Sequence, residues 1–198
     1  IKGFAKVDSD NKYIIYFNKK PAEDFWNDLT QSNKNFSYKI VRSNLSWTQV
    51  GLALELLFHP VDVFFNAKHT IPVIHHPRTK VVSMIHGLEF KINKQFYKNP
   101  VKGLIHPIVL WWVLVFSHKI VVPSVATKNS INKINWPFFK KEKIEIVPEG
   151  VNETFYKRSR EEIQDMRDKY KIGDGPYLIF VSTIQPRKNI PRMVHAFS

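Results

Sequence analysis

The sequence contains no cysteine and only seven glycines in 198 residues. A chain without cysteine has no disulfide framework and no thiolate metal site, and its composition favours a reducing compartment. Neither common glycine-rich phosphate loop occurs, and neither does the turn that presents the serine nucleophile of many hydrolases. Two frequent enzyme signatures, the P-loop and the nucleophile elbow, are therefore missing.

Long hydrophobic segments are also missing. The longest apolar block, residues 108–116, has nine residues, whereas a membrane-spanning helix needs about 20. This block predicts a buried helix, with an interfacial segment of a peripheral membrane protein as the alternative. The first ten residues show neither an initiator Met nor a secretion signal. We therefore expect a soluble, cytoplasmic chain, with the inner face of the membrane as a second location, and a piece of a longer protein.

The composition is that of a globular protein with a basic surface. Hydrophobic residues make up 43% of the chain and aromatic residues 14%, which is enough to form a core. The net charge is +13, and residues 61–150 contain 13 Lys and Arg against five Asp and Glu. A surface of this kind favours polyanions, which include nucleic acid, anionic lipid and a nucleotide diphosphate in a cleft.

Apolar runs typical of buried strands alternate with segments of helical spacing. We predict strands at residues 12–17, 36–41, 61–65, 80–85, 119–122, 143–147 and 177–181. We predict helices from Pro21, after Ser46 to residue 57, at 101–116, after Ser124 to residue 133, at 160–170, and from residue 189 or 190. Such alternation predicts an α/β fold with a doubly wound parallel sheet, in which ligands bind at the carboxyl ends of the strands.

One histidine follows an apolar strand directly. The segment 83–90 delivers His86 to the carboxyl end of the predicted strand, next to Gly87. A neutral imidazole there could donate to a sugar hydroxyl or accept from water, although a lone His is more often structural. His69, His75 and His76 lie in a loop, but their spacing fits no zinc site. We expect no metal.

Two cations stand at the last predicted junction between strand and helix. Arg187 and Lys188 lie in the loop 182–189, just before a predicted helix start. The unpaired N–H groups of a helix start and two fixed cations together favour a phosphate or diphosphate. The alternative is an Arg-Lys pair in a turn that faces solvent.

Five segments, taken together and in this order, resemble the family 4 glycosyltransferases of the GT-B type: residues 61–72, 82–90, 121–128, 143–155 and 178–189. Residues 82–90, VSMIHGLEF, are similar to the family's VTIHDLSF, and residues 178–189, LIFVSTIQPRKN, are similar to LLFVGTLEPRKN. The resemblance covers nearly the whole chain. It implies two Rossmann-like domains that face each other across a cleft.

In that family's terms the chain is truncated at both ends. Residues 1–150 would be an incomplete acceptor-side domain with a Rossmann-like parallel sheet. Residues 151–175 would form a linker and a charged helix, and residues 176–198 the first strand and helix of the donor-side domain. We expect this piece to be inactive, or nearly so, on its own.

The resemblance also implies a reaction and a set of residues. A sugar would pass from a nucleotide diphosphate sugar to a saccharide or lipid-linked acceptor with retention of the anomeric configuration, without a cofactor or metal. Lys188 would bind the donor diphosphate with Arg187 beside it, and His86 would be catalytic and face the transferred sugar. The residues expected to line the cleft are Gly87, Glu149, Gly150, Ser182 and Thr183.

The chain departs from the family pattern, and a second function stays open. Gly87 and Asn152 stand where the family has Asp, and Ser182 where it has Gly. The alternative function is a basic, non-catalytic module that binds anionic membrane or nucleic acid through residues 61–150, with Trp111, Trp112 and Trp136 in contact. No nucleic-acid motif occurs, so we expect no nucleic acid partner; contact with anionic membrane is compatible with either function.

Overall fold

A computed structural model describes residues 1–68, 70–88 and 100–197, without the side chains of residues 32, 100–104 and 187. The strands are β1 (Tyr13–Phe17), β2 (Phe36–Ile40), β3 (Val63–Asn66), β4 (Lys80–Met84), β5 (Lys119–Val122) and β6 (Ile144–Ile146). The α-helices are α1 (Lys2–Val7), α2 (Glu23–Ser32), α3 (Ala53–Phe58), α4 (Pro100–Phe116), α5 (Val125–Asn132), α6 (Arg160–Tyr170) and α7 (Ile190–Phe197). His69 and the end of the 82–90 motif lie outside the described residues.

The chain is an α/β protein with parallel sheets, as the alternation predicts. β3, β4, β5 and β6 form a four-stranded parallel sheet in sequential order. β1 and β2 form a separate parallel pair. The expectation of one continuous sheet is therefore wrong in this respect, because no ladder of hydrogen bonds joins β1 or β2 to the other four described strands.

The two faces of the β1–β2 pair pack against different clusters. Tyr13 and Ile15 pack with Trp26 and Leu29 of α2. Tyr16, which points to the opposite face because side chains alternate along a strand, packs against the larger core of the four-stranded sheet. Apolar residues on both faces explain why this strand reads as a continuous apolar run.

The larger core lies between one face of the four-stranded sheet and the helices. In β4 and just after it, Val81, Ser83 and Ile85 are fully buried, which is the period of two expected for a strand. Leu110 and Leu114 of α4 lie four residues apart and are also fully buried. Burying one such aliphatic side chain stabilises the fold by about 1.5–3 kcal/mol.

Lys143 closes the carboxyl end of α4. Its Nζ donates to the backbone carbonyls of Val115, at 2.7 Å, and Ser117, at 2.9 Å. The last carbonyls of a helix have no partner within the helix and carry partial negative charge. A cation there supplies hydrogen-bond donors and also an opposite charge. Partial burial lowers the pKa of Lys143, with the nearby cation Lys140 adding to the shift.

The predicted caps are confirmed, whereas two helix starts differ from the prediction. Ser46 Oγ accepts from Gln49 N, and Ser124 Oγ accepts from Thr127 N. After Ser46 the chain first makes a π-helical turn, Trp47–Leu52, and then α3. α2 begins at Glu23 with Ala22 as its N-cap, so Pro21 lies before the helix. The short helix α1 is not apparent from the sequence pattern.

The predicted strand at residues 177–181 is wrong. The segment forms no strand, and its side chains are exposed by 38% to 86%. A strand exists only through its hydrogen-bonded neighbours, and none of the described residues pairs with this run. In the part of the chain that is described, the helices fall short of the length and apolarity needed to cross a membrane.

Candidate functional site

The candidate site lies where several parallel strands end. Ala67 follows β3, His86 follows β4, and Glu149 follows β6. Parallel strands end at the same edge of a sheet, and open α/β proteins bind their ligands outside that edge. The fold therefore brings together side chains that are far apart in the sequence.

His86 is held at both ring nitrogens. Nδ1 lies 2.8 Å from Oε1 of Glu149, and Nε2 lies 3.1 Å from the carbonyl oxygen of Ala67. The backbone carbonyl of His86 accepts a hydrogen bond from Thr127 Oγ1 at 3.3 Å, so the first turn of α5 also contributes. Four segments of the chain meet at this residue.

The two ring contacts differ in what they require of the imidazole. A carbonyl oxygen and a carboxylate can only accept hydrogen bonds, so each ring nitrogen contacts its partner as a donor when it carries a proton. A neutral ring has one such nitrogen and makes one of the two hydrogen bonds, to Glu149 or to Ala67.

The side chains of His86 and Glu149 are accessible to a ligand. The His86 side chain is 52% exposed and that of Glu149 is 59% exposed. An ion pair with this exposure adds about 0–1 kcal/mol to stability. The main effect of this contact is therefore to orient the His86 ring. A ligand that binds Nδ1 must displace Glu149, and one that binds Nε2 must displace the Ala67 carbonyl.

Two glycines, Gly87 and Gly150, lie next to His86 and Glu149 in the sequence. Gly87 follows His86 and is half-buried. Gly150 follows Glu149, and a Cβ placed there would meet no heavy atom within 4 Å. Close packing therefore does not explain the glycine at position 150.

The predicted diphosphate loop is a short turn before a helix. Pro186–Lys188 is a 3-10 turn, Asn189 has φ 51°, and α7 begins at Ile190, as expected. Lys188 is half-buried, while Ser182 and Thr183 are exposed in a stretch without regular structure. The side chain of Arg187 lies outside the described part. The contact between this loop and a diphosphate stays a prediction.

A comparison with protein-family models, curated proteins and solved structures gives no match. The site is therefore interpreted from its own geometry. Among the described residues, no group of three or more His, Asp or Glu side chains is placed to hold a metal ion.

Two features of the site have no clear sequence signal. The Ala67 carbonyl is a backbone group, and a backbone acceptor leaves no mark in the residue pattern. Glu149 is among the residues expected to line the cleft, but its contact with a His 63 positions away is not predicted. The available signal was that both residues lie within two positions of the end of a predicted parallel strand.

An open cavity of about 440 Å³ lies elsewhere, between the end of α1 and the loop before β2. Its carboxylate, Asp8, accepts hydrogen bonds from the Tyr13 hydroxyl and from Asn11, and these bonds lower the pKa of Asp8. The cation Lys6 is paired with Glu153 at 2.5 Å. Of the three charged residues that line this cavity, Lys6, Asp8 and Lys34, the first two are thus already engaged within the protein.

Proposed function

We propose that this chain is part of a retaining glycosyltransferase of the GT-B type, acting on a nucleotide diphosphate sugar and a saccharide or lipid-linked acceptor. The observation that carries the proposal is the contact between His86 and Glu149 at the carboxyl edge of a parallel sheet. These residues lie in two separate segments of the family resemblance. Their meeting at the edge where α/β proteins bind ligands supports a single site.

The proposed roles follow from charge. The bond between the anomeric carbon and the diphosphate oxygen breaks, and the diphosphate leaves with the bonding electrons. The acceptor oxygen bonds to the anomeric carbon and gives its proton to the departing diphosphate. Lys188 and Arg187 stabilise the negative charge that develops on the diphosphate, together with the amino end of α7. His86 donates from one ring nitrogen to a hydroxyl of the transferred sugar, after that nitrogen leaves its protein partner.

The test is sugar transfer by the protein as its gene encodes it. UDP- and GDP-sugars are offered with saccharide and lipid-linked acceptors, and the Lys188→Ala variant is compared with the unaltered protein. We expect kcat/KM to fall about 10²-fold, the usual effect of losing a group that stabilises developing charge. Lys169→Ala, an exposed Lys on α6, is the matched control and keeps full activity.

Two results would contradict the proposal. If Lys188→Ala transfers sugar at the unaltered rate while the control does too, Lys188 has no part in the reaction. If the protein transfers no sugar from any donor and binds neither UDP nor GDP in a calorimetric titration, the glycosyltransferase assignment is wrong.

A further inference from the structure

A tight turn before the amino end of β6, the end away from His86 and Glu149, projects an aromatic side chain into solvent. In residues 136–139, Phe139 N donates to Trp136 O at 3.4 Å, Pro137 takes the second position, and Phe138 has φ 60°. This is a type II β-turn, whose third position needs positive φ and normally holds Gly or Asn. A phenylalanine in this conformation is strained.

Packing within the protein does not offset that strain. The Phe138 side chain is 83% exposed. Its neighbours Trp136 and Phe139 instead pack against the core, and Trp111 Nε1 donates to the Pro137 carbonyl at 2.9 Å. The base of the turn is thus fixed on both sides, and its tip carries an aromatic ring outward.

Helix α4 adds exposed apolar residues next to the turn. Ile108 is 60% exposed and lies one helical turn before Trp111, which holds the Pro137 carbonyl. Ile105 is 49% exposed and lies one turn further along the same face. Trp112, by contrast, packs against the core, as does Trp136. Of the three tryptophans suggested by the sequence, Trp111 thus remains at this surface, together with Phe138 and the two isoleucines.

Exposed cations flank the turn. Lys133 precedes it, and Lys140 and Lys141 follow it, all with exposed side chains. Glu142 is the acidic residue of this stretch, and Lys143 is directed inward to the end of α4. The stretch 133–142 therefore combines an apolar tip with an excess of positive charge.

We propose that the turn 136–139 and the exposed face of α4 dock on an anionic lipid surface. Phe138 and the isoleucines would enter the boundary between headgroups and acyl chains, while the lysines contact anionic headgroups. Nucleic acid fits less well, because two of the three tryptophans that could stack on bases, Trp112 and Trp136, lie against the core. This inference does not depend on the proposed catalytic function, and its test does not use activity.

The first test is sedimentation of the chain with vesicles of phosphatidylcholine alone or mixed with phosphatidylglycerol. We expect binding to the anionic vesicles and a fall with added salt, since each Lys near an anionic surface contributes about fivefold to partitioning. Lys140→Glu/Lys141→Glu is expected to reduce binding by about 25-fold or more. The control Lys157→Glu/Lys169→Glu makes the same charge change at exposed positions outside the surface and should bind several-fold more tightly than that variant.

The decisive variant is Phe138→Gly. Glycine relieves the strained φ, so we expect the melting temperature to stay the same or rise, while vesicle binding falls about tenfold with the loss of the aromatic ring. Phe155→Gly is the matched control, because Phe155 is 78% exposed and lies outside the surface. It should bind vesicles as the unaltered chain does.

The absence of native cysteine permits a direct readout of insertion. Phe138→Cys and Phe155→Cys each give one labelling site for an environment-sensitive fluorophore. We expect a blue shift on anionic vesicles for the label at 138 and none at 155. The proposal is overturned if the unaltered chain ignores anionic vesicles, if Phe138→Gly binds undiminished, or if the chain prefers a single-stranded RNA oligomer to the vesicles.

Discussion

Glu149 Oε1 lies 2.8 Å from Nδ1 of His86, so the residue that follows β6 orients the ring that follows β4. The same ring contacts the Ala67 carbonyl through Nε2. A histidine placed between two acceptors keeps a defined position. The site therefore offers an oriented imidazole at the edge of the sheet.

Removing the Glu149 carboxylate should leave Nδ1 of the His86 ring without its partner in the protein. In Glu149→Ala we expect the downfield NMR signal of the hydrogen-bonded Nδ1 proton of His86 to disappear through exchange with water, while the melting temperature changes little, because exposed ion pairs stabilise weakly. If the proposed function holds, kcat falls about tenfold, or roughly 1.4 kcal/mol in the barrier.

The matched control is Glu145→Ala. Glu145 lies four residues earlier, is similarly exposed, and pairs with Lys119 at 2.7 Å instead of with His86. Its loss should leave the His86 signal in place. A signal that persists in Glu149→Ala would show that Glu149 does not hold the ring.

A second prediction concerns acid sensitivity. His118 Nδ1 accepts a hydrogen bond from Val81 N at 3.1 Å, which requires an unprotonated Nδ1. Burial lowers the pKa of His118 below 6.5, and the nearby cations Lys80 and Lys143 lower it further. The unfolded chain therefore binds this proton more readily than the folded protein.

Stability should consequently rise with pH in the window between the lowered pKa of His118 and about 6.5, and this contribution is complete above that window. Urea midpoints measured from about pH 5 to pH 8 test this. His118→Asn keeps an acceptor near Val81 N but does not titrate, so its midpoint should depend less on pH. An equally steep profile in the variant would exclude His118 as the source.

A third prediction concerns the cap of α4. Lys143→Met keeps the length of the side chain but removes the donors to the Val115 and Ser117 carbonyls. We expect the free energy of unfolding to fall by about 1.5–3 kcal/mol, the range for hydrogen bonds to a charged group. Urea unfolding measures the change. The control is Lys140→Met, at an exposed position nearby, which should change the free energy of unfolding by less than about 0.5 kcal/mol. Equal losses of stability in both variants would contradict the capping role of Lys143.

The sequence predicts elements well where burial of an apolar run or local capping determines them. β5 and α6 have the predicted bounds, and Ser46 and Ser124 cap their helices as expected, because local hydrogen bonding fixes such positions. The failure at residues 177–181 has the opposite cause. Its apolar run resembles that of β5, but β5 has neighbours on both sides and this run has none among the described residues.

The site was predictable only in part. The rule that parallel strands end at a common edge places His86 near the residues after β6, and this follows from the order of the elements. The choice of Glu149 Oε1 and the Ala67 carbonyl as partners depends on loop paths of a few ångströms, which no periodicity encodes. The separation of β1 and β2 from the larger sheet was likewise unpredictable, because edge pairing depends on contacts remote in the sequence.

The sequential order of the four-stranded sheet bears on how the protein is made. Val63 pairs with Lys80, Val82 with Lys119 and Ile120 with Ile144, so each strand joins the one synthesised just before it. A nascent chain leaving the ribosome can add these strands one at a time, without waiting for distant residues. A nascent chain that is stalled only after β6 has left the exit tunnel should therefore hold this sheet in a form that already resists proteolysis.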